Sequence, residues 1–131
     1  MIGLDTNILV RYLTQDDPDQ SPRATHLIER KLTVEEPGFV SIVAIAETVW
    51  VLDRAYGFSS QEIAAVVERL LQTEVLTLEN EREVFTAMIA EQEGRGSFAD
   101  ALIGELGARA GCAYTLTFDQ KASKLAGFQL I

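Results

Sequence analysis

The spacing of apolar residues changes period several times along these 131 residues. Met1 to Leu4 is an apolar run that stops at Asp5, after which Ile8, Leu9, Tyr12 and Leu13 recur at helical spacing. Asp16, Asp17, Pro18 and Asp19 mark a turn. Ala24, Leu27, Ile28 and Leu32 predict an amphipathic helix, closed by Glu35, Glu36, Pro37 and Gly38. A second strand reads over Phe39 to Ser41, then a long apolar helix from about Ile42 to Tyr56. Ser59 with Glu62 has capping-box spacing before a helix over Ile63 to Leu71, and Val75 to Leu78 reads as a third strand. Val84, Ala87, Met88 and Glu91 place another helix, broken at Gly94-Arg95-Gly96. Ser97 opens the next, which ends near Gly111. Cys112 to Thr117 reads as a fourth strand, Asp119 caps a short helix, and Gln129 to Ile131 closes the chain.

Strands alternating with helices predict an α/β fold with parallel strands and helices on both faces. In such sheets the functional crevice lies beyond the carboxyl ends of the strands, where Asp5 and Asp119 both stand. No repeat, linker or low-complexity segment divides residues 1–131, so a single domain is expected.

Composition narrows the chemistry. The 47% hydrophobic and 24% charged content is that of a globular protein with a real core. The one cysteine, Cys112, cannot form an internal disulfide, and the one histidine, His26, cannot supply a Cys/His zinc cage. With no signal-peptide pattern at MIGLDTN, the cytoplasm is the expected compartment. The longest apolar stretch, Phe39 to Leu52, has 14 residues and includes Glu47, short of the ~20 that span a bilayer, so no membrane role is expected. A net charge of −9 repels nucleic acid at long range. Any nucleic-acid chemistry therefore requires bound cations or a local basic rim.

Four carboxylates stand apart from the rest, which fall in polar turns or on solvated helix faces. Glu47 has Val43, Ala44, Trp50 and Val51 as its helical neighbours, all apolar, so a buried carboxylate in need of a cation or hydrogen-bonding partner is expected. An ion pair with an arginine is the alternative. Asp5, Asp100 and Asp119 each have a capping alternative; Asp100 stands three residues after Ser97. A parallel sheet can gather such acids in one crevice, where they repel unless protonated or bridged by a divalent cation. Oxygen-only ligands favour Mg²⁺ or Mn²⁺, and the chemistry that follows is hydrolysis of a phosphate ester.

The stretches DTNILVRYL (5–13), AIAETVWVL (44–52), SFADALIGELGARAGC (97–112) and TLTFDQKA (115–122) together resemble a PIN domain, and more narrowly the toxin nucleases of VapBC toxin–antitoxin pairs. The resemblance runs nearly the full length. It implies a three-layer α/β/α fold around a parallel sheet of about five strands, Mg²⁺ or Mn²⁺ dependence, RNA cleavage, and a homodimer held by a small antitoxin with a basic tail. It carries Asp5, Glu47, Asp100 and Asp119 over as the catalytic and metal-binding acids, with Thr6, Asn7 and Thr117 as polar neighbours. Many relatives have a further acid where this chain has Ser97, which leaves the number of metals open. Arg11, Arg95, Lys121 and Lys124 flank the acidic motifs as candidate phosphate contacts. His26 reads as an exposed helix residue and Cys112 as core; the residues around Trp50 fit either core or a dimer surface.

Two other classes of function also place acids at strand ends. Phosphoryl transfer through an aspartyl phosphate is opposed by Asp5-Thr6-Asn7, which lacks a second Asp two residues on. An inert binding module is opposed by retention of all four acids.

Overall fold

The computed structural model describes residues 1–131. Its strands and helices run in the order β1 (Ile2–Gly3), α1 (Thr6–Thr14), α2 (Gln20–His26), β2 (Gly38–Val40), α3 (Ile42–Arg54), α4 (Ser60–Leu71), β3 (Leu76–Leu78), α5 (Glu81–Gln92), α6 (Phe98–Arg109), β4 (Thr115–Thr117) and β5 (Phe128–Leu130). A π-helical turn, Leu27–Lys31, continues α2, and a 3-10 turn, Ala122–Lys124, precedes β5. Every strand pairing is parallel, and the architecture is the expected three-layer α/β/α.

The five strands do not form one continuous sheet. β1, β2 and β3 bond in that order as a triplet, and β4 and β5 form a separate pair. β1 is only two residues long, and its ladder bonds go to β2, with Ile2 N and Leu4 N each 2.9 Å from the carbonyls of Pro37 and Phe39. Little ladder is left on its other edge. Gly38 is required by close approach: a Cβ there would stand 2.8 Å from Leu32 Cδ1 and 2.9 Å from Leu4 Cδ1. Removing that side chain lets two core leucines close over β2.

Two helices, α1 and α3, begin where a strand end supplies a cap. Asp5 accepts from Thr6 N at 2.8 Å at the start of α1. Ser41 Oγ accepts from Ala44 N at 3.1 Å at the start of α3. α1 stops at Gln15, which takes a left-handed φ of 54° while its N–H returns to the Arg11 carbonyl. Asp17 Oδ1 accepts from Gln20 N at 2.7 Å and from Asp19 N at 3.0 Å, bonds that hold its pKa below the ordinary carboxylate value. The buried Ser21 donates to the Arg11 carbonyl at 2.8 Å and ties α2 to α1. The predicted capping box is complete, with Ser59 Oγ accepting from Glu62 N and Glu62 Oε1 accepting from Ser59 N.

Two sequence expectations need correction here. Cys112 is exposed and lies outside the strand, which starts only at Thr115. The end of α6 consumes the intervening residues: Gly111 takes a φ of 99°, and Cys112 N bonds back to the Gly107 carbonyl at 3.0 Å. Nor are all the remaining acids solvated. Glu83 and Glu91 of α5 are 7% and 8% exposed and grip opposite ends of α6. Glu91 Oε1 accepts from Phe98 N at 3.3 Å, placing negative charge at the helix N-terminus. Glu83 reaches Arg109 at 3.5 Å in the last turn. Position on the buried face of α5, rather than local composition, decided their burial.

The capping box gives a direct check on the fold. Ser59→Ala should lower stability by about 1 kcal/mol, or roughly 3–5 °C in midpoint for a domain of this size, measured by thermal denaturation.

Candidate active site

The carboxyl end of β1 delivers Asp5, and the helix that Asp5 caps presents Thr6 and Asn7 immediately afterwards. Thr6 is buried and does two things at once. Its N–H donates to Asp5 Oδ1, and its hydroxyl donates to Glu47 Oε1 across from α3. Asp5 Oδ2 and Glu47 Oε2 are left without protein partners. None of the ion pairs involves Asp5, Glu47, Asp100 or Asp119. The arginine alternative for Glu47 therefore falls away.

Glu47 is exposed, against the expectation that its apolar neighbours bury it. Val43 and Trp50 are 71% and 60% exposed, because the stripe of α3 that carries Glu47 faces away from the core. Arg54 lies over the Trp50 ring at 6.0 Å on the same stripe. α3 turns Ala44, Ile45, Thr48, Val49 and Leu52 inward instead. The helix is apolar on both faces, so local composition could not say which face is core.

Asp5, Thr6, Asn7 and Glu47 line one cleft of about 450 Å³ together with Arg11 and Tyr56. Asp100 and Asp119 are not among its lining residues. Asp100 stands half-exposed in the first turn of α6. The Asp100 N–H is held by Ser97 Oγ at 3.1 Å, but the carboxylate returns no bond, so the capping alternative explains Ser97 rather than Asp100. Asp119 caps the turn after β4, accepting from Lys121 N at 2.8 Å and Ala122 N at 3.3 Å. Thr117 Oγ1 accepts from Asp119 N at 3.0 Å and fixes that residue. No three acidic, histidine or cysteine side chains converge closely enough to form a ready metal cage. Asp119 follows β4, whose strand pair is not bonded to β1, and four like charges have no electrostatic reason to close on one another alone.

The candidate RNA contacts separate as well. Arg95 pairs with Glu93 at 2.8 Å, and Lys121 and Lys124 are exposed beside Asp119. Arg11 is the one that stands in the cleft, and sequence reasoning missed what holds it. Asp16 accepts from Arg11 at 3.1 Å, Gln20 accepts from its Nε at 2.9 Å, and Tyr56 donates to Asp16 at 2.5 Å. Hydrogen bonds from Tyr56 and Thr14, joined by the Arg11 charge, outweigh partial desolvation and hold the Asp16 pKa at about 2. Tyr56 is 40 residues from Asp16, a separation at which no local pattern could have paired them.

The PIN domain family profile matches residues 2–128 of the chain. A VapC ribonuclease of Aquifex aeolicus (strain VF5) is 25% identical over 128 residues, covering 98% of this chain and 93% of that protein.

The Asp16 network sets a pH dependence. A depressed folded-state pKa contributes stability that is fully present above the unfolded value near 4 and is lost as pH falls through about 2. Tyr56→Phe removes the largest cause, so the Asp16 pKa should rise toward the ordinary value, which a carboxyl-carbon NMR titration reads directly.

Proposed function

The chain belongs to the PIN domain family, and on that premise we propose that it is a metal-dependent endoribonuclease, the toxin of a type II toxin–antitoxin pair. The observation that carries the proposal is Thr6, which buries itself to hold one oxygen of Asp5 and one of Glu47 while the second oxygen of each stays free of any protein cation. The likeness to a VapC ribonuclease supports the same chemistry. Residues 1–131 act as one catalytic domain in this reading.

An oxygen-only donor set with no neutralising arginine fits a hard divalent cation, Mg²⁺ or Mn²⁺. Asp5 and Glu47 would hold it, with Asp100 from α6 and Asp119 from the turn after β4 completing the acidic set. When bound, such a cation supplies charge stabilisation for a phosphodiester under in-line attack and lowers the pKa of water. The chain's own residues set the geometry. Thr6 keeps the two carboxylates in register, Asn7 offers an amide at the rim, Thr117 orients Asp119, and Arg11 presents a fixed cation to a phosphate oxygen.

The partner of such a toxin would be a small VapB-like antitoxin whose basic tail lies in the acidic cleft. A second copy of the chain has its own candidate surface in the exposed stripe of Val43, Trp50 and Arg54 on α3. Covering that stripe would exclude water beside Glu47, which a monomer leaves in solvent.

Asp5→Asn and Glu47→Gln should each lower RNA cleavage by about 10²-fold or more while leaving the circular dichroism spectrum and the melting midpoint nearly unchanged. Chelator should abolish wild-type cleavage, and Mn²⁺ should restore it. Full cleavage in chelator would remove the metal from the proposal. Thr6→Val, which keeps shape and loses the hydroxyl, should lower kcat by roughly 10- to 100-fold through misplacement of Glu47. For the dimer, Trp50→Glu should shift sedimentation toward the monomer.

A further inference from the structure

The cleft that holds Asp5 and Glu47 does not end at Arg11. Asn7 and Arg11 also line a neighbouring cavity of about 320 Å³ between α1 and α2, whose far wall includes Gln20, Arg23 and Leu27. Arg23 and Leu27 are shared in turn with a third cavity of about 440 Å³, which His26 and Lys31 complete. The three cavities adjoin one another through these shared lining residues.

Charge changes sign along them. The first stretch carries Asp5 and Glu47, whereas no acidic residue lines the two beyond Arg11. Arg11, Arg23 and Lys31 line those stretches, in a chain with 20 acidic side chains against 11 basic ones. Arg23 meets Asp19 at 3.4 Å, but both side chains are more than three-quarters exposed, so a competing phosphate displaces that pair at little cost. Lys31 enters no ion pair. Arg11 is different: Gln20 and Asp16 fix its guanidinium at the boundary between the acidic and basic stretches. Ile8 and Leu27 add apolar surface on which a ribose or base can rest.

We propose that the adjoining cavities that run from between α1 and α2 onto the α2–π-turn segment form a groove that binds the sugar–phosphate backbone of single-stranded RNA flanking the cleaved bond, with Arg23 and Lys31 as its phosphate contacts. The inference rests on the ribonuclease reading for the bond that is cut, but its ligand chemistry stands on charge and continuity. A polyanion led along this strip reaches Asp5 and Glu47 from the side where the protein does not repel it. A basic protein tail suits the acidic stretch and is repelled from this one.

The test is equilibrium binding of a fluorescently labelled single-stranded RNA to the full chain in chelator, across a range of salt. Arg23→Ala/Lys31→Ala changes the net charge by −2, and Arg82→Glu on the exposed face of α5 changes it equally as the control. The double variant should bind about 10-fold or more weaker at low salt, and the slope of log K against log salt should shrink by about 1.4, two contacts at ~0.7 each. The control should keep its slope, and cleavage of a dinucleotide, which spans only the scissile bond, should be the same in all three proteins. An unchanged slope in the double variant, or an equal loss in Arg82→Glu, overturns the groove as the site. Failure of the wild type to cleave any RNA in Mn²⁺, with the binding difference intact, counts against the nuclease reading and leaves the groove standing.

Discussion

A buried threonine between two carboxylates governs how this site is built. Thr6 sits in the first turn of α1, where the polypeptide has just left β1 and its N–H has no intrahelical partner. Asp5 takes that N–H, and the Thr6 hydroxyl, removed from water, has to donate elsewhere. Glu47 of α3 receives it. One residue thus satisfies a helix end, crosses to a second helix and fixes two acids that would otherwise repel. The crossing lies where α1 packs against α3, and Thr6 and Glu47 both line the cleft there.

The distribution of charge follows from the same arrangement. Asp5 stands where a strand end meets a helix start and caps that helix, and Glu47 faces it from α3. Cations collect along α2 and its π-turn, on the far side of α1. Arg11 lies at the boundary, held by Asp16 and Gln20. The formal charge of −9 is not spread evenly, since Asp5 and Glu47 line one cavity while Arg11, Arg23 and Lys31 line those beside it.

Acids also hold α6 in place. Glu91 and Glu83 fasten its two ends to α5, and Ser97 caps its first turn. Asp100 rides on that first turn with its carboxylate unengaged. Ser97 thus has a structural task, capping the helix without contributing charge.

The order of strands and helices, the capping box at Ser59 and Glu62, the turn after α1 and the parallel pairing were all legible in the sequence, because each follows from short-range periodicity or from a residue's intrinsic backbone preference. Asp5 and Glu47 could be singled out for the same reason, one standing at a strand end and the other at odds with its neighbours, whereas Thr6 and Asn7 came only from the resemblance to PIN domains. Which face of α3 is buried was not legible, since Val43 and Trp50 on one side are as apolar as Ile45 and Val49 on the other. Nor was the burial of Glu83 and Glu91, the exposure of Cys112, or the joining of Tyr56 to Asp16. Those depend on which surfaces meet across tens of residues of chain, and on the bond between strands that β1, two residues long, does not extend to β4. Local sequence sets what each segment can become; only packing decides which of its faces meets the core and which meets solvent.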